Sequence, residues 1–291
     1  MSATPKIGGQ AVIEGVMMRH EKQLAIAVRK PDAQIAVHKE TLTTAGEKFP
    51  LLKLPLLRGT VALVESLLIG ARALTISANE AAEGEEEELA PWQLTLTVGF
   101  ALLLGVVLFF ILPTLITSFL AGRISSRPLV LNLVEGLIRL LIFLAYLIVV
   151  TQLEDIQRVF AYHGAEHKSI ACFEAGEALT PANARKYSTL HPRCGTSFLL
   201  LVMTISILLF SLFAWPNIWQ RLILRLALLP LVAGIAYELI QLAGRFRFFR
   251  YLTYPGLWLQ RLTTREPDDE QLEVAICAIE AVLAAVEKRE V

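Results

Sequence analysis

Residues 93–122, QLTLTVGFALLLGVVLFFILPTLITSFLAG, hold no charged side chain over thirty positions. A helix crosses a hydrocarbon core of roughly 30 Å with about 20 apolar residues, so this run reads as a transmembrane helix. Trp92 stands at its entrance, Arg123 and Arg127 follow it, and Pro113 bends or interrupts it in the middle. A helix of a soluble bundle keeps one polar face; this one is apolar all round.

Three further runs lie downstream. Residues 129–152 carry Glu135 and Arg139, four apart in the order that lets them pair on one helix face. Residues 196–215 are uncharged, and residues 222–242 are entered through Arg221 and Arg225 and contain Glu238. Glu135, Arg139 and Glu238, costly inside spans, are functional candidates, and the alternative is an ion pair of Arg139 with Glu238 or Glu135. Composition agrees with a bilayer protein: 55% of the 291 residues are hydrophobic, 19% are charged, and mean hydropathy is +0.55, against roughly 45–50% and about 25% in soluble domains. Lipid bilayer is thus the first partner. Twenty-seven Lys+Arg balance 27 Asp+Glu, so no basic field draws the chain to nucleic acid.

Four spans place residues 1–92, 153–195 and 245–291 on one side. That side holds Arg158, Lys168, Arg185, Lys186, Arg193, Arg245, Arg247 and Arg250, against Arg123, Arg127, Arg221 and Arg225 opposite. The positive-inside rule makes the richer side cytoplasmic, with both termini there and the cytoplasmic membrane as the location. Cys172, Cys194 and Cys277 form no disulfide framework, which fits reduced thiols on that face. The opening MSATPKIGGQAVIEGVMMRH lacks the apolar core of a signal peptide.

Between positions 1 and 50, QAVIEGVMM, QLAIAVRK and AQIAVHKE alternate in the manner of a three-strand antiparallel meander. Gly8-Gly9 lack the glycine spacing of a phosphate cradle and read as flexible backbone before the first strand. Residues 51–92 read as an amphipathic helix lying in the membrane interface or against other helices, then an acidic linker, EAAEGEEEE. In the tail, Asp268-Asp269 start a helix whose Leu272, Ala275, Ile276, Ile279, Val282, Leu283 and Val286 make one apolar face, enough to cover one side of the meander. The expected class is a mainly α membrane protein of about four transmembrane helices, with a small cytoplasmic α+β domain built from both chain ends.

Three of the five histidines fall between positions 163 and 191, in the longest connection between spans. His163 and His167 are four apart, so on a helix they share a face and can reach one ion. Glu166 sits at the edge of that face, placed to take a proton from water without binding the ion. His163-Gly164-Ala165-Glu166-His167 has the H-x-x-E-H form of inverted zinc peptidases. Glu174, seven residues past His167, lies about 10 Å along the helix and is excluded as third ligand. The better third ligands are His191 or Cys194, in TLHPRCGTS just ahead of the third span. The expectation is that their metal-binding atoms converge within about 4 Å of those of His163 and His167. Such a set suits a divalent metal, zinc first, with an open coordination position. Cys194 as a nucleophile with His191 as base is the competing chemistry. Lys168, Arg185, Lys186 and Arg193 crowd the region and suit an anionic or membrane-associated substrate.

The strings IGGQAVIEGVMMR, AYHGAEHKSIACFE, LTPANARKYSTLHPRCGTSFLL, PGLWLQRLTTREPDD and LEVAIC, in that order, resemble the YqhQ-type family of bacterial membrane proteins of unknown function. That family is catalogued as predicted metal-dependent enzymes. The resemblance covers nearly the whole chain and implies a multi-span bacterial membrane protein; His163, Glu166, His167, His191 and Cys194 are the matching positions. The resulting expectation is a metal-dependent hydrolase with Glu166 as general base. Its alternative is a non-enzymatic assembly, scaffold or regulatory factor whose metal staples the long connection to the bundle.

Overall fold

A computed structural model of the chain describes residues 7–44, 46, 49–82, 91–246, 251 and 254–290. Most of the acidic run and the basic positions 247 and 250 lie outside the described residues.

The sheet has four strands, not three: β1 (Gly8–Val12), β2 (Gly15–His20), β3 (Gln23–Arg29) and β4 (Ile35–Thr41), antiparallel in chain order. The stretch expected as one first strand folds back on itself, pairing Val12 with Gly15 across the two-residue turn Ile13-Glu14. Glu14 holds φ 49°, a left-handed conformation that disfavours side chains. Its carboxylate is gripped by the Arg158 guanidinium and by the Tyr162 hydroxyl at 3.3 Å, so tertiary contacts hold the turn where alternation alone suggested a continuous strand.

Alternation buries both faces of this sheet. Val16, Met18, Ala25 and Ala27 point to one side, Met17, Leu24, Ile26 and Val28 to the other. Helix α1 (Leu57–Ala81) covers the second face with Ala73, Ile69 and Ile76. Five helical segments come next: α2 (Pro91–Val106), α3 (Leu112–Ile124), α4 (Pro128–Val150), α5 (Glu154–Glu174) and the short α6 (Pro181–Ala184). The chain ends in α7 (Gly195–Ser211), α8 (Ile218–Arg245), α9 (Tyr254–Thr263) and α10 (Asp269–Glu290). Helices α5 and α10 cover the first face, where the alanines of β3 let Ala275 and Ala278 approach closely. The sheet is thus sandwiched between helices from both ends of the chain and from its middle.

Among the described residues four helices are long and apolar enough to cross a membrane: residues 57–81, 99–124, 128–150 and 218–242. This differs from the sequence expectation at two places. Helix α7 ends at Ser211 and, with 17 residues, is about 25 Å long, short of a full span. Helix α1 meets the length and hydropathy requirement, yet its C-terminal half is tied to the sheet, with Ser77 Oγ accepting the Ile13 N–H at 3.2 Å. Its N-terminal half lies along α8, where Gly59 and Gly234 permit close approach. Helix α1 therefore links bundle and sheet.

Between α2 and α3 a π-turn (Val107–Ile111) precedes Pro113. Proline has no N–H, so the carbonyl four residues back, that of Phe109, loses its helical donor. Arg139 Nε of α4 donates to it at 2.7 Å. The bundle then runs α3, α4, α7, α8 by successive packing, which puts the end of α4 and the start of α7 at the same end as the sheet.

Candidate metal centre

Helix α5 begins with Glu154 and Asp155, acids that favour a helix N-terminus, and it presents His163 and His167 side by side with ring centroids 4.4 Å apart. The glycine between them matters. A Cβ on Gly164 would stand 2.0 Å from the Arg265 carbonyl oxygen, so only glycine lets α5 lie against the strand of chain that joins α9 to α10. That closeness puts the Thr263 carbonyl within 2.8 Å of His163 Nδ1, while from the loop ahead of α7 the Thr189 carbonyl meets His167 Nδ1. A carbonyl only accepts, so each Nδ1 carries the proton and each Nε2 keeps its lone pair.

The two Nε2 atoms face inward. His163 Nε2 lies 3.1 Å from Cys194 Sγ, while His167 Nε2 is buried with no hydrogen-bond partner. One ligand atom from each of His163, His167 and Cys194 lies within 4.8 Å of the others, wider than the expected 4 Å. Among the described residues this is the one group of three or more His, Cys, Asp or Glu side chains so placed. His191 stands beside it, its ring centroid 5.5 Å from that of His167, its Nδ1 accepting the Arg193 N–H at 3.4 Å and its Nε2 3.6 Å from Glu174. Between the two third ligands left open above, the geometry brings Cys194 into the group and leaves His191 at its rim. Glu174 pairs with Arg193 and His191 at the end of α5.

Glu166 is 5% exposed and runs along Gly9, where any Cβ would lie 2.8 Å from its Cγ. Gly8-Gly9 therefore do more than precede a strand: Gly9 makes room for the carboxylate, and both glycines line the cleft that opens on it. Burial pushes the Glu166 carboxyl up to about 8, against the pull of His163, and a cation among these groups would lower it again. Burial likewise depresses His167 to about 3 and raises the Cys194 thiol. All three shifts express one fact, that charge here is expensive without a counter-ion. The cleft holds about 240 Å³ and is bordered by Gly9, Glu166, His167, His191, Arg193 and Cys194.

The basic residues expected to receive an anion are committed elsewhere. Lys168, 3% exposed, reaches Glu266 and the Arg185 carbonyl, Arg185 reaches Asp269, Lys186 reaches Glu177 and Arg193 reaches Glu174. Sequence reading also missed the residue that positions the third ligand. Gln260 of α9, fully buried, accepts the His191 N–H at 2.8 Å and donates to the His191 carbonyl at 2.9 Å, clamping the turn that carries Cys194. Gly256 allows this, since its Cβ would fall 2.3 Å from Ser197 Oγ. The one signal was the glycine and glutamine in PGLWLQRL, which periodicity alone reads as an ordinary amphipathic helix.

Residues 54–285 match the family described as "Protein of unknown function (DUF1385)". A Bacillus subtilis (strain 168) relative, "Uncharacterized protein YqhQ", is 36% identical over 289 residues, covering 94% of this chain and 90% of its own. No solved structure matches.

Proposed function

The chain belongs to the DUF1385 family of YqhQ-type proteins, and from that premise we propose that it is a multi-pass membrane hydrolase whose metal is held by His163, His167 and Cys194. The observation that carries this reading is the pair of histidines whose Nδ1 protons are spent on carbonyls while their Nε2 lone pairs, one of them orphaned in the interior, converge on a thiol. Buried polar atoms are almost always satisfied, so an orphan lone pair beside two other donor atoms supports a cation there. Two imidazoles and a thiolate form a zinc-type donor set, and three ligands beside an open cleft leave a position for substrate. Zinc held there supplies a Lewis acid that activates water and polarises the oxygen of a scissile group.

The chain's own groups do the rest. Glu166 borders the same cleft without belonging to the ligand group, so it is free to take a proton from water and pass it to the leaving group. Gln260 and the Thr189 and Thr263 carbonyls hold ligands in place, and Arg193, though paired with Glu174, borders the cleft where it can meet a developing negative charge. The site belongs to the cytoplasmic side of a bacterial membrane. Arg221 and Arg225, counted above on the opposite side, and Lys168, counted on this one, are each 3% exposed; with all three set aside, Arg123 and Arg127 stand against Arg158, Arg185, Lys186 and Arg193, and the positive-inside contrast remains.

Metal analysis of the purified protein beside His163→Ala tests the ligands: bound metal is expected in the first and not in the second. Glu166→Gln then separates hydrolase from staple. It is expected to keep its metal and fail to complement a deletion strain; complementation with metal retained rules out the hydrolase and leaves a structural metal. Cysteine placed at position 175 is expected to resist membrane-impermeant labelling in intact cells, and labelling there reverses the orientation.

A further inference from the structure

At the other end of the bundle from the histidines, three arginines surround one glutamate. Glu135 of α4 is fully buried and pairs with Arg139 at 3.3 Å, with Arg221 at 3.4 Å and with Arg225 in direct contact; the arginines are 6%, 3% and 3% exposed. Neutral partners complete part of the shell: Thr114 donates to Glu135 at 2.7 Å, Arg225 donates to Thr114 and Asn132, and Arg221 to Ser118. Three guanidinium groups stay protonated, so against one carboxylate the cluster carries two positive charges in excess. No other acid can reach in from these segments, because Glu135 is the only Asp or Glu in residues 89–153 and there is none in residues 178–237.

Two further observations point to a ligand. Arg221 Nε is buried with no hydrogen-bond partner, although its guanidinium is stacked on Trp215 at 3.7 Å. Next to the cluster an apolar cavity of about 320 Å³ opens between helices, lined by Phe109, Phe143, Met203 and Phe210, with Arg139 and Ser206 as its polar points. Excess buried charge calls for a counter-ion of opposite sign, and arginine forks match the oxygens of a phosphate in pairs. The cluster lies about 10 Å along α4 from its start and within the first turns of α8, a depth that a lipid head drawn inward reaches from the far surface.

We propose that the Arg139–Arg221–Arg225 cluster binds a phosphate-type oxyanion, with the adjoining cavity taking the apolar chain when the phosphate is carried by a lipid. This site is separate from the metal centre in place and chemistry, and it stands whether or not a metal binds there.

Trp215 supplies the readout. In full-length protein in dodecyl maltoside, with Trp92, Trp219 and Trp258 replaced by Phe, dodecyl phosphate is titrated against Trp215 emission, beside inorganic phosphate and dodecyltrimethylammonium. A saturable change with dodecyl phosphate, absent with the cation, is expected. Arg221→Gln and Arg225→Gln are expected to weaken it about tenfold or more, and Glu135→Gln, which removes the competing carboxylate, to tighten it. Saturation by inorganic phosphate at the same concentration assigns the oxyanion to solution and removes the lipid chain from the proposal. No saturable change with either phosphate, or equal affinity in the arginine variants, overturns it. Should those variants fail to fold, thermal protection of the unsubstituted chain by dodecyl phosphate decides alone: no rise in the unfolding temperature rejects the site.

Discussion

The histidine cluster at the sheet end and the arginine cluster inside the bundle are both buried and polar, and they solve the problem of burial in opposite ways. At the histidines the outer nitrogens are satisfied by carbonyls, and one Nε2, that of His167, is left without a partner beside an open cleft. At the arginines charge meets charge, and four elements supply the partners: α3 through Thr114 and Ser118, α4 through Asn132, Glu135 and Arg139, α8 through Arg221 and Arg225, and the π-turn through the Phe109 carbonyl. The first arrangement gathers donor atoms beside a cleft, and the second ties together the helices that form it. Removing a side chain should therefore cost mainly metal at the histidines, and at the arginines fold together with any bound oxyanion.

The largest effect expected is at His167. His167→Ala should reduce bound metal from about one ion per chain to background by elemental analysis, while the metal-free protein loses only what the Nδ1 bond to the Thr189 carbonyl and the vacated ring volume contribute, about 1–3 kcal/mol, since Nε2 had no partner to lose. Strong destabilisation of the metal-free chain would break the contrast. Glu135→Ala should do the reverse, leaving metal content intact and lowering stability by about 3–5 kcal/mol in detergent unfolding, since three buried arginines lose their only carboxylate. A loss below about 1 kcal/mol would mean that neutral partners or a bound anion already satisfy them.

Gly164→Ala sharpens the comparison at an intermediate scale. The new methyl group meets a backbone oxygen, so a loss of about 1–3 kcal/mol is expected together with weaker metal binding, as α5 is pushed from the carbonyl that orients His163. Unchanged metal affinity would show that the ligands do not depend on that packing. Smallest is Arg158→Ala, whose pair with Glu14 is half exposed: a change within about 1 kcal/mol by thermal unfolding, and no change in metal.

How far each region was legible follows from how its parts are spaced in the chain. His163, Glu166 and His167 occupy one helix, and a period of 3.6 residues places them without knowledge of anything else. Cys194 or His191 came next because antiparallel neighbours return to the same end of a bundle, yet which of the two turns inward depends on Gln260, sixty-nine residues away from His191. The arginine cluster was half visible. Glu135 and Arg139 form an i,i+4 pair, whereas Arg221 and Arg225 read as ordinary flanking charges until α8 starts inside the bundle. Arg139 meets Glu135 as one of two expectations had it, and Glu238 is taken by Arg58 of α1. Likewise the meander was legible from alternation, but not the fold-back at Glu14, whose left-handed backbone depends on Arg158 and Tyr162.

What the sequence by itself determined is whatever runs on local period and bulk hydropathy: apolar helices, though not which of α1 and α7 is long enough to span, strands with alternating faces, a terminal helix with one apolar stripe, and two histidines on one side of a helix. Those signals are carried by residues a few positions apart, and the solvent that selects them is the same wherever the segment ends up. Only the tertiary structure decided that Gly9 and Gly164 are clearances for Glu166 and for the Arg265 carbonyl, that Cys194 joins the histidines, and that three arginines share one carboxylate. These depend on distances between segments up to 157 residues apart, as for Gly9 and Glu166, set by close packing and by the need to satisfy buried polar atoms, and neither condition has a signature in a short window of sequence.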